Sequence, residues 1–496
     1  MKETGALCVY FFNEIIKGMK NSIIVLLCLF ILGGCNKMDA GDNKKNSTSD
    51  NSFVRVSNKN PFYFELSNGD AYIPIGLNIC WAWGGMAELE QHFKKLNENG
   101  GNYARVWIGQ FMFDYESVYG QVNEEQLAKL DKLFELADKY GIKIKLCIEN
   151  FRRIEPENPT GDFNIKKAYH VNNGGLFTSM DDYITAERGK NVFLEKVRLY
   201  KDRYGDNPQV FAWEIWNEMN AISITDQTDN LIQWNKDVFA EMQTIYPKNL
   251  ITQSLGSMDG DWSFPFYEKI MKIADNDIIQ GHRYLDEGAQ LEICHGPVDL
   301  LAADIVTTLR SYGQNKPVLL AESGGVKPNH TGPHAAYNND KHGTIFHDVL
   351  FAPFFSGAAG PGHIWHWDEY VEKNNVWFQI QRFANVVKGI NPVEEQFIPI
   401  RADQTNLRVY LLKGIKTSLV WFRDANNTWE NELVKSIAPQ EISGETFHVK
   451  KKLANKEIDQ IKAYNPWTDQ WSDIDTNEVI TLPAFKRSMV LVIQNK

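Results

Sequence analysis

Between residues 70 and 390, short apolar runs alternate with helix-period segments, and this alternation constrains the fold more than any other feature. The runs expected as strands are 72–79 (YIPIGLNI), 102–108 (NYARVWI), 142–149 (IKIKLCIE) and 210–217 (VFAWEIWN). They continue with 250–254 (LITQS), 277–282 (DIIQGH), 317–322 (PVLLAE) and 361–367 (PGHIWHW). Among the intervening helical segments, 124–139 is the clearest: Leu127, Leu130, Phe134 and Ala137 share one face, Asn123 precedes them as N-cap and Gly141 follows. Further helical patterns fall at 86–98, 188–204, 228–245, 299–312 and 376–389, with weaker ones at 264–274 and near 340–350. Eight strand-then-helix units of this kind predict an α/β chain folded as a (β/α)8 TIM barrel over residues 61–392. The competing doubly wound sheet would carry a glycine-rich phosphate loop after an early strand, and the sequence contains neither GxGxxG nor GxxxxGK(S/T). After residue 390 helical periodicity fades. Segments 407–413, 416–422, 446–452 and 488–493 read as strands, which predicts a small C-terminal β-sandwich over residues 393–496.

The N-terminus has a different character. Residues 23–32 are continuously apolar, Lys17 and Lys20 precede them, and Leu32-Gly33-Gly34-Cys35 follows. The run is short for a bilayer-spanning helix but suits the core of a signal peptide. Its small residues ending in cysteine resemble a bacterial lipobox. That resemblance implies a signal segment over residues 1–35, with Met19 as an alternative start, and a lipidated Cys35 that anchors the chain to a cell-envelope membrane. Residues 36–60 are expected as a flexible tether, rich in Asn, Asp, Ser and Lys up to residue 52. Of the six cysteines, Cys80 and Cys147 end expected strands and read as small buried hydrophobes.

The 52 basic and 63 acidic residues leave a net charge of −11, which does not suit phosphate neutralisation, so no nucleic-acid partner is expected. The chain carries 14 Trp, 19 Tyr and 28 Phe, enough for a heavy core or for flat platforms under a ligand with apolar faces.

In a barrel of this type, reactive groups gather where strands end at the C-terminal face. The fourth strand ends in Trp216-Asn217-Glu218, the sixth in His282-Arg283-Tyr284 and the seventh in Ala321-Glu322. The second strand carries Arg105, the third ends Glu149-Asn150, and the eighth contains Trp365 and Trp367. Two glutamates facing each other across the mouth are what retaining glycoside hydrolysis needs, one to attack the anomeric carbon and one to protonate the leaving oxygen, about 5–5.5 Å apart. The barrel, with WNE at strand four, HRY at strand six and LLAES at strand seven, resembles the clan-A glycoside hydrolases, most closely family 5.

That resemblance implies Glu218 as general acid/base, Glu322 as nucleophile and Asn217 as the group that binds the sugar 2-hydroxyl. It further implies that His282 and Tyr284 form an HxY pair whose tyrosine orients the nucleophile, that Arg105 lies beside the nucleophile, and that Trp365, in preference to Trp367, floors the −1 sugar site. A general acid of this kind is expected to be held partly protonated, by burial or by its charged neighbour. The family's histidine near the end of strand three is missing, and Glu149 there reads either as a ligand for a sugar hydroxyl or as a loop charge. Met219 stands where the family has a proline after its acid/base motif.

His363, His366, Asp368 and Glu369 do not have metal-ligand spacing, so neither a metal nor an organic cofactor is expected. Trp81, Trp83, Trp107 and Trp262 fall on the same presumed face, where packing is the simpler reading of each. The expected activity is retaining hydrolysis of a β-linked polysaccharide or oligosaccharide. Mannan comes first as substrate, with β-glucan or exo-acting β-glycosidase activity as alternatives; outside that class stands a non-catalytic glycan-binding surface lipoprotein.

Overall fold

The computed structural model describes residues 51–225 and 228–496. Strands β1 (Gly76–Asn78), β2 (Tyr103–Trp107), β3 (Lys143–Glu149), β4 (Val210–Trp216) and β5 (Leu250–Thr252) pair in sequence order as one parallel sheet. Strands β6 (Ile279–His282) and β7 (Val318–Glu322) form a second parallel pair. The connecting helices are α1 (Met86–Glu98), α2 (Glu124–Tyr140), α3 (Met180–Thr185), α4 (Glu187–Tyr204) and α5 (Thr228–Ile245). They continue with α6 (Phe264–Met271), α7 (Val298–Ser311), α8 (Thr344–Phe355) and α9 (Phe378–Val387). Helix α2 starts and stops as its sequence dictates: the Asn123 side chain accepts from the N–H groups of Glu125 and Gln126, and Gly141 takes the left-handed conformation (φ 63°).

The eighth strand differs from expectation. Residues 361–367 make one bridge, Ser323 to Ile364, and a π-helical turn (Trp367–Glu372) follows. Pro361 has no N–H to give a ladder, and flanking Gly360 and Gly362 weaken extended pairing. Backbone bonds cross the two gaps beside side-chain ones: Asn78 N–H donates to the Ile364 carbonyl (3.1 Å) and Asp277 N–H to that of Ile251 (2.9 Å), joined by the Asn78 amide and the Thr252 hydroxyl.

Strand alternation fills the interior. On β2, Tyr103, Arg105 and Trp107 share one face. Tyr103 stacks on His363 at the lower end (4.2 Å between ring centroids), Arg105 occupies the middle, and Trp107 reaches the upper mouth. The middle layer is polar, built from Asn78, Arg105, Lys145, Glu214 and Gln280, all buried. Below it, an antiparallel sheet of Val54–Val56, Phe64–Leu66 and Ala71–Tyr72 closes the bottom, where Phe64 packs edge-on to Phe211. The expected tether over 36–60 therefore runs into folded structure, with Val54 in the core. The expected signal segment, its Cys35 and residues 36–50 lie outside the described residues.

The C-terminal region is a six-stranded antiparallel sheet in the order Ile398–Arg401, Leu407–Lys413, Thr417–Asp424, Ser488–Asn495, Ile458–Asn465, Gln470–Ile474. One face, with Tyr410, Leu412, Trp421 and Val490, joins the core of the barrel helices; Trp421 lies against Phe351 of α8. The other face, with Leu411, Val420, Phe422 and Leu491, is covered by the strand pair Thr446–His448 and Val479–Thr481. The segment 446–452, expected as one strand, is thus a short strand followed by a helical turn (Val449–Lys452). Two buried ion pairs tie sheet to barrel, Arg408 to Asp299 on α7 and Arg423 to Asp348 on α8. Cys80, Cys147 and Cys294 are buried free thiols.

Candidate active site

The end of β4 delivers Asn217 and Glu218 to the mouth. Trp216 is locked first, its indole N–H donating to the Phe151 carbonyl (2.9 Å), and Asn217 N–H donates to the Glu149 carbonyl (2.8 Å). Glu218 then takes φ 50° and ψ 53°, a left-handed conformation that costs a non-glycine residue about 1–3 kcal/mol. Its N–H is held by Ser254 Oγ at 3.0 Å. Across the mouth, β7 ends at Glu322, opposite His282 of β6. Oxygens of the two carboxylates lie within 4.8 Å of each other. So close an approach suits a nucleophile and acid/base pair, roughly 5–5.5 Å apart, better than a pair held roughly 6.5–9.5 Å apart with a water between them.

The donors to the Glu322 carboxylate come from the middle of β2 and from just past β6. Arg105 Nη1 donates to Oε1, and the Tyr284 hydroxyl donates to Oε2 at 2.5 Å. Arg105 is itself fixed on its other edge by the Glu214 carboxylate (2.6 and 2.8 Å) and by Asn217 Oδ1 (2.8 Å). Lys145 Nζ lies 3.2 Å from Glu214 and balances its charge. Because the Asn217 oxygen is engaged, its amide nitrogen is the group free to donate into the cavity. His282 Nδ1 stands 3.0 Å from Glu218 Oε1 and 3.4 Å from Glu322 Oε2. Alternation puts His282 and Tyr284 on the site side and sends Arg283 outward to Asp304 of α7.

Glu218 does not meet the expectation of a partly protonated acid in the free protein. Arg152 Nη2 donates to its Oε2 at 2.6 Å. Burial pushes the carboxyl up, but the hydrogen bond from His282 and the charge of Arg152 outweigh it and hold the group well below the usual carboxylate range.

The two glutamates sit in a cavity of about 220 Å3 whose walls include Trp107, Arg152, Phe163, His330 and Trp365. Trp365 lies beside Trp107 (5.2 Å between centroids), whereas Trp367 is buried behind it. Thus Glu218, Glu322, Asn217, Tyr284 and Trp365 line one cavity, with Arg105 and His282 bonded to its carboxylates. Trp81 packs among the aromatics under the mouth, and Trp83 and Trp262 are exposed. Glu149 is neither a sugar ligand nor a loop charge: it is buried and ion-paired with Lys196 of α4. His363 bonds the Pro74 carbonyl inside the barrel, while His366 lies by Tyr337.

Sequence reasoning missed Glu214, Lys145, Arg152, Phe163 and His330. The first two carried a usable signal, being charged residues inside strands otherwise rich in apolar residues; the other three sit on irregular loops. His330 has its Nε2 3.3 Å from both Asp259 and Asp286, which hold its imidazole above its ordinary value against the effect of burial. This trio, like Glu218, His282 and Glu322, has three ligand atoms close enough for a cation. In both groups protein donors already meet the carboxylates.

Residues 65–345 match the family model described as cellulase (glycosyl hydrolase family 5). The chain is 24% identical over 245 residues to a probable mannan endo-1,4-beta-mannosidase F of Aspergillus flavus, covering 44% of this chain and 50% of that protein. It is 24% identical over 342 residues to mannan endo-1,4-beta-mannosidase 7 of Arabidopsis thaliana, covering 60% of this chain and 74% of that protein. The chain thus spans about half the length of the first of these curated relatives. A glycoside hydrolase family 5 crystal structure from Bacteroides vulgatus superposes with a TM-score of 0.57 at 14% identity, covering 90% of this chain and 93% of that one, and so shares the fold. On the match over residues 65–345, the chain belongs to glycosyl hydrolase family 5.

Proposed function

We propose that this chain is a retaining β-glycoside hydrolase whose substrate is a mannan-type polysaccharide or oligosaccharide. The observation that carries the reading is the pair Glu218 and Glu322, with oxygens within 4.8 Å, inside an aromatic-walled cavity. Glu322 attacks the anomeric carbon and forms a glycosyl–enzyme ester as the bond to the leaving oxygen breaks. Glu218 gives that oxygen its proton. In the second step Glu218 takes a proton from water, the resulting hydroxide attacks the anomeric carbon, and Glu322 leaves. Arg105 and Tyr284 present Glu322 as a charged nucleophile, with one donor on each oxygen. The Asn217 amide donates to the sugar 2-hydroxyl, and Trp365 stacks under the ring. Mannan is favoured because both relatives described above are named as mannan endo-1,4-beta-mannosidases. The lipobox resemblance supports a mature chain that begins at lipidated Cys35.

A panel of mannan, glucomannan and β-glucan with product sizing tests the substrate. In the same assay Glu322→Ala should abolish turnover, and added azide should restore it with a glycosyl azide of inverted configuration. Unimpaired turnover by Glu322→Ala would remove the assignment.

A further inference from the structure

Arg152 is placed unlike any other donor in the site. Its backbone is fixed on both sides: its N–H donates to the Asn164 carbonyl (2.8 Å), and its own carbonyl accepts from Ser223 N–H (2.9 Å). Its side chain is about one-third exposed, lines the cavity and, among the described residues, has Glu218 as its hydrogen-bond partner. Its Nε is enclosed and without a partner. A fixed stem with a singly tethered guanidinium is an arm that can swing without disturbing the fold.

The other groups facing Glu218 are held by second anchors or, for His282, by complete burial of the ring. They are His282 of β6, Glu322 of β7, Tyr284 just past β6, Tyr267 of α6 and His330 of the loop after β7. Tyr284 is bonded to Glu322, Tyr267 to the Leu255 and Gly256 carbonyls, and His330 to two aspartates. His282 contacts Glu218 through Oε1, which leaves Oε2 as the oxygen held by Arg152. A general acid needs its proton on an oxygen aimed at the glycosidic oxygen, and an oxygen accepting from a guanidinium is closed to that use.

Resting on the hydrolase reading, we propose that Arg152 is a displaceable guard of the acid/base: it holds Glu218 Oε2 in the free enzyme and transfers to the hydroxyls of the leaving-group sugar when substrate binds. Oε2 then takes a proton from solvent and passes it to the glycosidic oxygen as the bond to the anomeric carbon breaks. The departing sugar leaves as an alcohol, Glu218 is again a carboxylate, and it is free to deprotonate the incoming water. Arg152 is a positioning residue that acts through Glu218 and answers to the occupancy of the leaving-group side.

The test compares pH profiles of wild type, Arg152→Met and Arg152→Lys on an oligosaccharide that the wild type cleaves. The basic limb of kcat/KM reports the acid in the free enzyme, and that of kcat reports it in the complex. In Arg152→Met the limb of kcat/KM should move up by about one to three pH units, the effect of removing a cation at this range. The limb of kcat should stay where the wild type has it, because the guard is already off Glu218 in the complex. Arg152→Lys keeps the charge and should move the kcat/KM limb less than Arg152→Met does. Both limbs moving together would mean that Arg152 stays on Glu218 throughout, and neither moving would mean that the contact is idle; either result overturns the proposal and leaves the hydrolase reading intact. A wild type without turnover on any β-linked glycan would overturn the hydrolase reading, and the displacement with it.

Discussion

Glu218 combines a strained backbone, a partly buried carboxylate and two donors, so its side chain is positioned before substrate arrives. Glu218→Gln keeps the shape and loses the proton, and kcat on oligosaccharides should fall by about 10²–10⁴-fold. Aryl glycosides whose leaving groups need no proton should lose far less in their first step, which burst kinetics would read. Single side chains were also where the sequence was most legible. Glu218, Glu322, Asn217 and Tyr284 lie where periodic strands stop and Trp365 lies on the irregular eighth segment, and these five meet in one cavity. Arg152 and His330 were not legible. They stand on loops whose course follows contacts such as Arg152 N–H to the Asn164 carbonyl, and no periodicity marks such positions.

At the scale of elements, the polar middle layer of the barrel is the main surprise. The run IKIKLCIE of β3 alternates apolar and charged residues at its start, yet every residue from Lys143 to Glu149 is buried. Sequence alternation reports polarity, not exposure, and here the polar face meets Arg105 and Glu214 instead of solvent. Glu214→Gln would leave Arg105 and Lys145 as buried cations without a full counter-charge. It should lower stability by about 3–5 kcal/mol, read as the midpoint shift in urea unfolding. The eighth position was misread for a related reason: PGHIWHW has the aromatic content of a strand, but its proline and glycines deny it a ladder. His363 there is burial-shifted to about 3 from an ordinary 6.5. Below pH 6.5 the unfolded chain takes a proton that the folded one refuses until about pH 3, so this residue favours the fold above that window and opposes it within. The stability difference between wild type and His363→Gln should therefore shift against the wild type by about 1.4 kcal/mol per pH unit between pH 6 and 4.

At the scale of the whole molecule, the described residues pack as one compact unit, and the C-terminal sheet is part of the barrel's support. The change from helical to strand periodicity after residue 390 was plain in the sequence. What the sequence hid was that Trp421 and Tyr410 on one face of the sheet complete the core against α8, because periodicity does not say which partner a buried face will meet. Asp299 accepts from Arg408 (2.6 and 2.9 Å) and from the Tyr410 hydroxyl (2.7 Å), all of them buried. Asp299→Asn should cost about 3–5 kcal/mol and shift a single cooperative transition in calorimetry, without splitting it into two. The central claim is that Glu322 and Glu218 act by double displacement within one cavity. Proton NMR of the first product released from a β-linked mannooligosaccharide tests it most directly. The account predicts that the β-anomer appears first and mutarotates later; first appearance of the α-anomer would contradict it.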